Sequence, residues 1–222
     1  MKVIIYGATG MVGQGALREC LNDASVEAVL SVGRTATGVP HPKLKELLVH
    51  DLADYRNLDE GLSGYDACFF CLGTTVARKS EAEYRRVTYG FTMAAAETLA
   101  RLNPQMTFVY VSAEGADSSE KGPIMWARVR GELKNALQRL PFKAVYILRP
   151  ALIQPLDGIQ SKTKAYRVMY SAMKPLLPLL KKLLPSYATD TRVLGRAMIV
   201  LARKGYEKKV LKSIDFNKLV QL

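Results

Sequence analysis

Three glycines near the start of the chain stand at a spacing that suits the binding of a phosphate group. Gly7, Gly10 and Gly13 follow the apolar run Val3–Tyr6, and a segment of helical period comes after them. Glycine permits a sharp turn at the first position, close approach of the backbone to phosphate at the second, and close helix packing at the third. The N–H groups of the helix then face the anion. The alternative is an ordinary glycine-rich turn. The residues predicted to contact the diphosphate of a dinucleotide are Gly7, Thr9, Gly10, Met11, Val12 and Gly13.

The residues after the second predicted strand indicate which dinucleotide the loop would accept. A site that prefers NAD places an acidic residue there to bind the ribose 2′-hydroxyl, whereas this chain has Arg34 between Gly33 and Thr35. A guanidinium can donate two parallel hydrogen bonds to a phosphate and can stack on a purine ring. We therefore predict NADP(H) as the cofactor, with NAD(H) as the weaker alternative. For Arg34 taken alone, an ordinary surface arginine is also an open reading.

The elements that must position these residues alternate between apolar strands and amphipathic helices. Most of the strands are apolar nearly throughout, as expected for strands covered on both faces, and the alternation is typical of a parallel sheet flanked by helices. We predict one α/β domain over residues 1–222, a doubly wound parallel sheet of the Rossmann type with a small helical C-terminal cap. The predicted strands are Val3–Tyr6, Val26–Val32, Leu47–His50, Ala67–Cys71, Thr107–Ser112 and Ala144–Leu148.

Two long helices are predicted from local signals between these strands. Ser80 and Glu83 have the spacing of a capping box, and the apolar residues after them keep a helical period until Asn103. A second amphipathic pattern predicts a helix from Glu120 to Leu140, which Pro141 ends.

The positive charge is concentrated in the C-terminal third. Residues 1–159 contain 18 basic and 17 acidic side chains, whereas residues 160–222 contain 14 basic and 3 acidic. We predict that residues 155–222 form a basic helical cap or substrate region, with a solvated basic face as the preferred interpretation. Contact with a membrane surface is the less favoured one. The apolar segment Ala165–Pro185 contains lysines and prolines, so it cannot span a bilayer. No nucleic-acid module is recognisable, and none is predicted as a partner.

Cysteine and histidine usage argues against a disulfide framework and a metal site. Cys68 and Cys71 have CxxC spacing, but they lie in one predicted strand, where residues three apart point to opposite faces. The three cysteines and two histidines cannot assemble a recognisable metal cluster, so we expect no metal. Reduced thiols and the absence of a signal-peptide pattern predict a cytoplasmic protein.

Several stretches at the ends of predicted strands resemble one family. Gly-Ala-Thr-Gly at 7–10, Cys-Leu-Gly-Thr-Thr at 71–75, the run 111–117, Lys134 and Arg149-Pro150 are similar to atypical short-chain dehydrogenase/reductases. Within these, the similarity is to the HIV Tat-interactive oxidoreductase group and its bacterial NAD(P)-binding relatives, and it covers most of the chain. The further cofactor contacts that this resemblance implies are Asp51, Leu52, Cys71, Leu72, Gly73, Thr74, Ser112, Arg130 and Pro150.

The resemblance also implies a catalytic set, which this chain keeps only in part. Related reductases use a serine and a Tyr-x-x-x-Lys pair, in which tyrosine exchanges the proton and lysine lowers its pKa. Ser112 matches the serine, but Trp126 occupies the tyrosine position and Arg130 the lysine position. An indole N–H does not titrate in the useful range, and a guanidinium stays protonated. Ser112 and Arg130 are therefore candidate catalytic residues without the standard proton donor. Alternatively, Trp126 and Arg130 form a cation–π stack.

Three functions remain open at this point. The first is an NADP-dependent oxidoreductase or epimerase-like enzyme acting on a small or lipophilic substrate. The second is a non-catalytic NADP(H)-sensing protein that binds a partner. The third is a peripheral membrane adaptor that uses the basic C-terminal third.

Overall fold

A parallel sheet of seven strands forms the centre of the protein. The structure is a computed structural model that describes residues 1–160 and 187–221. Within these residues the strand order is β3-β2-β1-β4-β5-β6-β9, and β7 and β8 form a separate parallel pair. The order reverses between β1 and β4, where a parallel sheet opens a crevice at its carboxyl edge. The strands are β1 (Lys2–Tyr6), β2 (Ala28–Gly33), β3 (Leu44–Leu48), β4 (Ala67–Phe70), β5 (Thr107–Val111), β6 (Ala144–Arg149), β7 (Leu152–Gln154), β8 (Ala188–Asp190) and β9 (Val210–Lys212).

Helices cover both faces of this sheet, which confirms the predicted doubly wound α/β fold. One core cluster joins α1, α6 and α7 to one face, and a second joins α2, α4 and α5 to the other. Cys68 belongs to the second cluster and Cys71 packs against the first, so the two thiols face opposite sides as predicted. The helices are α1 (Met11–Asn22), α2 (Asp59–Leu62), α3 (Glu81–Arg85), α4 (Phe91–Leu102), α5 (Met125–Leu137), α6 (Thr191–Lys204) and α7 (Ser213–Leu219).

The helix predicted after Ser80 is present and contains an unpredicted irregularity. Its capping box is formed, since the Ser80 Oγ accepts from the Glu83 backbone N–H at 3.3 Å and Glu83 accepts from the Ser80 N–H at 2.8 Å. A π-helical turn over Arg86–Gly90 then joins α3 to α4. Such turns interrupt the regular ladder and occur often at functional sites.

The helix predicted from Glu120 begins later than the pattern indicated. Helix α5 begins at Met125, because Glu120 has a left-handed backbone with φ of 64° and residues before it form a loop. The third strand is also shifted, from the predicted Leu47–His50 to Leu44–Leu48.

Part of the range 155–222, which was predicted as a basic helical cap, belongs to the main domain. Strand β9 pairs with β6 in the central sheet, and helix α6 packs tightly on α1. A Cβ on Gly195 would lie 2.9 Å from Cγ of Glu19, so the two helices meet at glycine. The buried apolar residues of α6 therefore decide its place in the main domain, although its exposed face is basic. The predicted cap segment Ala165–Pro185 lies outside the described residues.

Candidate functional site

The glycine loop between β1 and α1 has the backbone geometry that its spacing predicted. Gly7 has a φ of 76°, a left-handed conformation that favours glycine. The Gly10 N–H donates to the Gly7 carbonyl at 2.9 Å, which closes the turn. A Cβ on Gly13 would lie 2.1 Å from that same carbonyl oxygen, so α1 can approach the turn only with glycine there.

The first turn of α1 presents N–H groups without a side-chain cap. Gly10 is the N-cap residue, and no acidic side chain stands in the first turn. The first N–H groups of a helix lack intrahelical acceptors and carry a partial positive charge. Thr9, Met11 and Val12 lie partly exposed around this end. The arrangement can bind an anion such as a diphosphate.

The loop after β4 lies directly against the glycine loop. A Cβ on Gly7 would meet the backbone nitrogen of Leu72 at 2.7 Å, so the two loops touch through their main chains. Gly73 is exposed, and the Nη2 of Arg130 stands 4.0 Å from the position a Cβ would take there. The structure therefore brings together four of the predicted site residues, Gly7, Leu72, Gly73 and Arg130.

An open cavity of about 660 Å³ borders the glycine loop on the side of strand β2. Thr9 and Gln14 line it from the loop and α1, and Ala36 and Thr37 line it from the segment after β2. Arg34 begins that segment and is exposed. Arg18 and His41, which the sequence did not single out, also line this cavity. A cation on this side of the glycine loop, such as Arg34 or Arg18, suits a ribose 2′-phosphate.

Ser112 directly follows strand β5 and has a buried hydroxyl. Its N–H donates to the Leu148 carbonyl at 2.8 Å, which extends the pairing with β6 by one residue. The side chain is 5% exposed, and its Oγ has no hydrogen-bond partner in the described part of the chain. A buried hydroxyl without a partner is costly. It is therefore a candidate donor to a group of a ligand.

Arg130 donates a hydrogen bond to a buried tyrosine. The Nε of Arg130 donates to the hydroxyl of Tyr84 at 2.9 Å, and Tyr84 is 2% exposed. Trp126 lies against Gly115, whose Cβ position would be 3.3 Å from the indole Cη2. Burial raises the pKa of the nearby Tyr110, and the positive charge of Arg130 partly offsets this.

The loop before α5 is organised by a residue that the sequence analysis did not assign. The carboxylate of Asp117 accepts from the N–H groups of Ser119 at 2.9 Å and Gly122 at 2.8 Å. The hydroxyl of Ser119 also donates to Asp117 and lowers the pKa of its carboxyl most, and the backbone N–H groups lower it further. The Asp117 carbonyl also packs so closely on Gly131 that a Cβ there would lie 1.6 Å away. The Asp-x-Ser pattern at 117–119 is typical of a local turn and could have predicted this role of Asp117.

The remaining predicted cofactor contacts differ in how accessible they are to a nucleotide. Asp51 is exposed, but the Leu52 side chain is buried in the core, so a nucleotide could meet Leu52 only through its main chain. Pro150 is buried, and its carbonyl accepts from the Glu114 N–H at 3.1 Å. Burial raises the pKa of Cys71 to about 12, so its thiol is neutral at pH 7. Thr74 is partly exposed on the same loop.

Comparison with known proteins decides the family. A family model described as NAD(P)H-binding matches residues 7–146, which include the glycine loop and strands β2 to β5. The chain belongs to this NAD(P)H-binding family. It is 28% identical over 155 residues to protein HTATIP2 of Rattus norvegicus, covering 68% of this chain and 62% of that protein. It is 27% identical to protein FMP52, mitochondrial, of Candida albicans, covering 69% of this chain and 67% of that protein. The resemblance to atypical short-chain dehydrogenase/reductases is thus confirmed.

Solved structures of an epimerase and a reductase share the fold at low sequence identity. The UDP-glucose 4-epimerase of Thermotoga maritima superposes with a TM-score of 0.70 at 12% identity, covering 100% of this chain and 82% of that one. The yeast methylglyoxal/isovaleraldehyde reductase Gre2, solved with NADPH, gives a TM-score of 0.65 at 12% identity, covering 96% and 76%. These likenesses confirm the Rossmann-type fold of this family member.

The residues that the structure describes contain neither a candidate metal cluster nor a helix that could cross a membrane. Among residues 1–160 and 187–221, no group of three or more His, Cys, Asp or Glu side chains could hold a metal ion. Over the same residues, no helix combines the length and apolar character needed to cross a membrane.

Proposed function

We propose that this protein binds NADP(H) in preference to NAD(H) and acts as an atypical short-chain reductase or epimerase-like enzyme. The observation that carries the proposal is that the glycine loop and the exposed Arg34 follow the neighbouring parallel strands β1 and β2 at the same edge of the sheet. The Gly7 turn leaves the α1 N-terminus open to a diphosphate. Arg34 follows strand β2, where the 2′-substituent of the adenosine ribose lies in Rossmann-type sites.

The residues present fit a dinucleotide in three places. The uncapped start of α1 would hold the diphosphate, and the loop Leu72–Thr74 would lie along the adjoining ribose. Arg130, held by Tyr84, would donate to the nicotinamide ribose, which is the task of the family's lysine. Ser112 would donate its hydroxyl to a substrate carbonyl. When bound, the cofactor supplies or accepts the hydride.

A second function, NADP(H) sensing without chemistry, is favoured by one specific observation. Trp126 stands where a reductase of this kind has its proton-exchanging tyrosine, and its indole packs on the loop at Gly115. Tyr84 is buried and its hydroxyl accepts from Arg130, so in this proposal it positions Arg130 and does not exchange a proton with a substrate. A small or lipophilic substrate with its own labile proton remains compatible with the enzyme proposal.

Titration of the full chain with NADPH and with NADH tests the cofactor proposal. Trp126 is the single tryptophan of the chain, so energy transfer from its indole to the reduced nicotinamide reports binding. A charged hydrogen bond from Arg34 is worth about 1.5–3 kcal/mol, so NADPH is expected to bind about 10- to 100-fold more tightly than NADH. Equal affinities, or tighter NADH, would refute the preference.

The membrane-adaptor function and the cytoplasmic location stay predictions. The apolar basic segment Ala165–Pro185, on which the adaptor function depends, lies outside the described residues. A fluorescent fusion of the full chain, imaged with and without a membrane stain, separates the two: we expect diffuse cytoplasmic signal, and membrane or organelle signal would argue against it.

A further inference from the structure

Two basic side chains stand next to each other at the carboxyl edge of strands β6 and β9. Arg149 and Lys212 are direct partners in the register of this parallel pair. Side chains of directly opposed residues lie on one face, and like charges so placed destabilise a sheet. Glu114 compensates the positive charge of Lys212, because the Lys212 ammonium donates to its Oε1 at 2.9 Å. The second charge, on Arg149, faces a hydroxyl rather than a carboxylate among the described residues.

The guanidinium of Arg149 is incompletely bonded. Its Nη2 donates to the Oγ of Ser118 at 3.0 Å, a contact open to solvent. Its Nε is buried and has no hydrogen-bond partner in the described ranges. The Nε and Nη2 groups form one edge of the guanidinium, which matches the two oxygens of a carboxylate or phosphate. A single hydroxyl uses half of this edge.

Ser112 adds a second donor without a hydrogen-bond partner to the same row. The Ser112 N–H bonds the Leu148 carbonyl, so Ser112 follows the register of Val111 with Leu148 and neighbours Arg149. Its Oγ is also buried without a partner in the part of the chain described. Across β5, β6 and β9, the hydroxyl of Ser112, the guanidinium of Arg149 and the ammonium of Lys212 therefore follow one another. They lie at the carboxyl edge of the strands, where parallel sheets bind ligands.

We propose that Arg149 and Lys212 form the subsite that binds an oxyanion of the substrate, a carboxylate or a phosphate, beside Ser112. This inference rests on the proposed function, because it names the class of the substrate that Ser112 would meet. An oxyanion takes the Nε and Nη2 edge of Arg149, displaces the Ser118 hydroxyl, and meets Lys212 at its exposed side. The substrate of the protein is then an acid or a phosphate ester whose reacting carbon lies toward Ser112.

Trp126 fluorescence supplies the readout, because the indole contacts Gly115 in the loop that contains Ser118. The full chain is first saturated with NADPH, which keeps the probe anion away from the glycine loop. Inorganic phosphate and, separately, acetate are then titrated at constant ionic strength set with sodium chloride. We expect a saturable fluorescence change with at least one of the two, and the stronger anion identifies phosphate or carboxylate as the recognised group.

Four variants separate anion binding from loop structure. Arg149→Gln and Lys212→Met are each expected to weaken the apparent anion affinity at least about fivefold. Ser118→Ala, which removes the competing hydroxyl but no charge, should leave it unchanged or tighter. Lys204→Met, at an exposed lysine in the last turn of α6, is the matched control and should behave as wild type.

The outcomes distinguish this inference from the proposed function. If NADPH fails to bind, the proposed function fails at the first step. If NADPH binds and neither anion gives a saturable change, the oxyanion subsite is wrong and the cofactor proposal stands. A response that Lys212→Met leaves intact also overturns the subsite, and this exposed position keeps the test valid even if Arg149→Gln does not fold.

Discussion

The Nε of Arg130 donates a hydrogen bond of 2.9 Å to the hydroxyl of Tyr84 and thereby joins α5 to α3. The residue at the family's lysine position is thus held by a buried tyrosine from another helix, next to the exposed Gly73 of the β4 loop. This bond fixes a permanent positive charge at the cleft and engages the tyrosine hydroxyl at the same time.

Tyr84→Phe removes the acceptor of one Arg130 N–H and should lower the free energy of unfolding by about 1–3 kcal/mol. Urea denaturation followed by circular dichroism measures this change. Tyr89→Phe, on the same helical stretch, is the matched control and should stay within about 0.5 kcal/mol of wild type. A Tyr84→Phe protein as stable as wild type would mean that the bond contributes nothing.

Alanine substitutions at two positions of the glycine loop are expected to have different effects. Gly13→Ala places a methyl group 2.1 Å from the Gly7 carbonyl oxygen and should destabilise the fold by about 1–3 kcal/mol or more. Gly10→Ala meets the same oxygen at 3.3 Å, which a small shift can relieve, and should cost less stability than Gly13→Ala. Its methyl group would instead stand in the path of the diphosphate and should weaken NADPH binding at least about tenfold.

Thermal melts and NADPH titrations of both variants check this division. Gly61→Ala is the control, because a Cβ there meets nothing within 4 Å. Full NADPH affinity in Gly10→Ala would contradict the placement of the diphosphate.

Acid should loosen the loop before α5 through Asp117. Hydrogen bonds lower the pKa of this carboxyl in the folded state, so its stabilising contribution is fully present above the unfolded pKa of about 3.9. The contribution is lost as the pH falls through the lower folded pKa. Trp126 fluorescence, followed from pH 6 downward, should change below about pH 4.

Asp117→Asn supplies the comparison for this pH dependence. The amide cannot titrate, so the variant should lack the acid transition of the loop while the global unfolding at lower pH remains. An unchanged acid transition in Asp117→Asn would assign it to another group.

The sequence predicted the parts of this protein that depend on local pattern. The strands are apolar because both faces are covered, and the Gly7–Gly13 spacing reports backbone constraints directly. The Arg130 bond to Tyr84 spans 46 residues, and a helical period does not specify such a partner. Strand β9 is three residues long, too short for an alternation signal, and its neighbour β6 lies far away in sequence.

Helix α5 starts later than predicted for a related reason. The apolar period starts only at Met125, and upstream of it Asp117 binds the backbone N–H groups of the loop and Glu120 adopts a left-handed conformation. Side-chain hydrogen bonds to the backbone compete with helix formation there.

Restoring the family's proton donor tests whether chemistry is limited by Trp126. The double variant Trp126→Tyr with Arg130→Lys recreates the Tyr-x-x-x-Lys pair on α5. General acid catalysis contributes about 10²- to 10⁴-fold, so NADPH oxidation with a panel of simple aldehydes should rise at least tenfold over wild type. Trp126→Phe with Arg130→Lys is the control without a titrating hydroxyl. Equal rates in the two double variants would show that Trp126 does not limit reduction.

The ratio of NADPH to NADH affinity in Arg34→Ala, compared with wild type, tests the central claim most directly. Calorimetric titration at fixed salt should show NADPH binding weakened about 10- to 100-fold and NADH binding changed by less than about twofold. Arg139→Ala, at an exposed arginine after α5, should leave both affinities at their wild-type values. If Arg34→Ala keeps the wild-type ratio, or if neither nucleotide binds the wild-type chain, the assignment of the glycine loop and Arg34 to NADP(H) is contradicted.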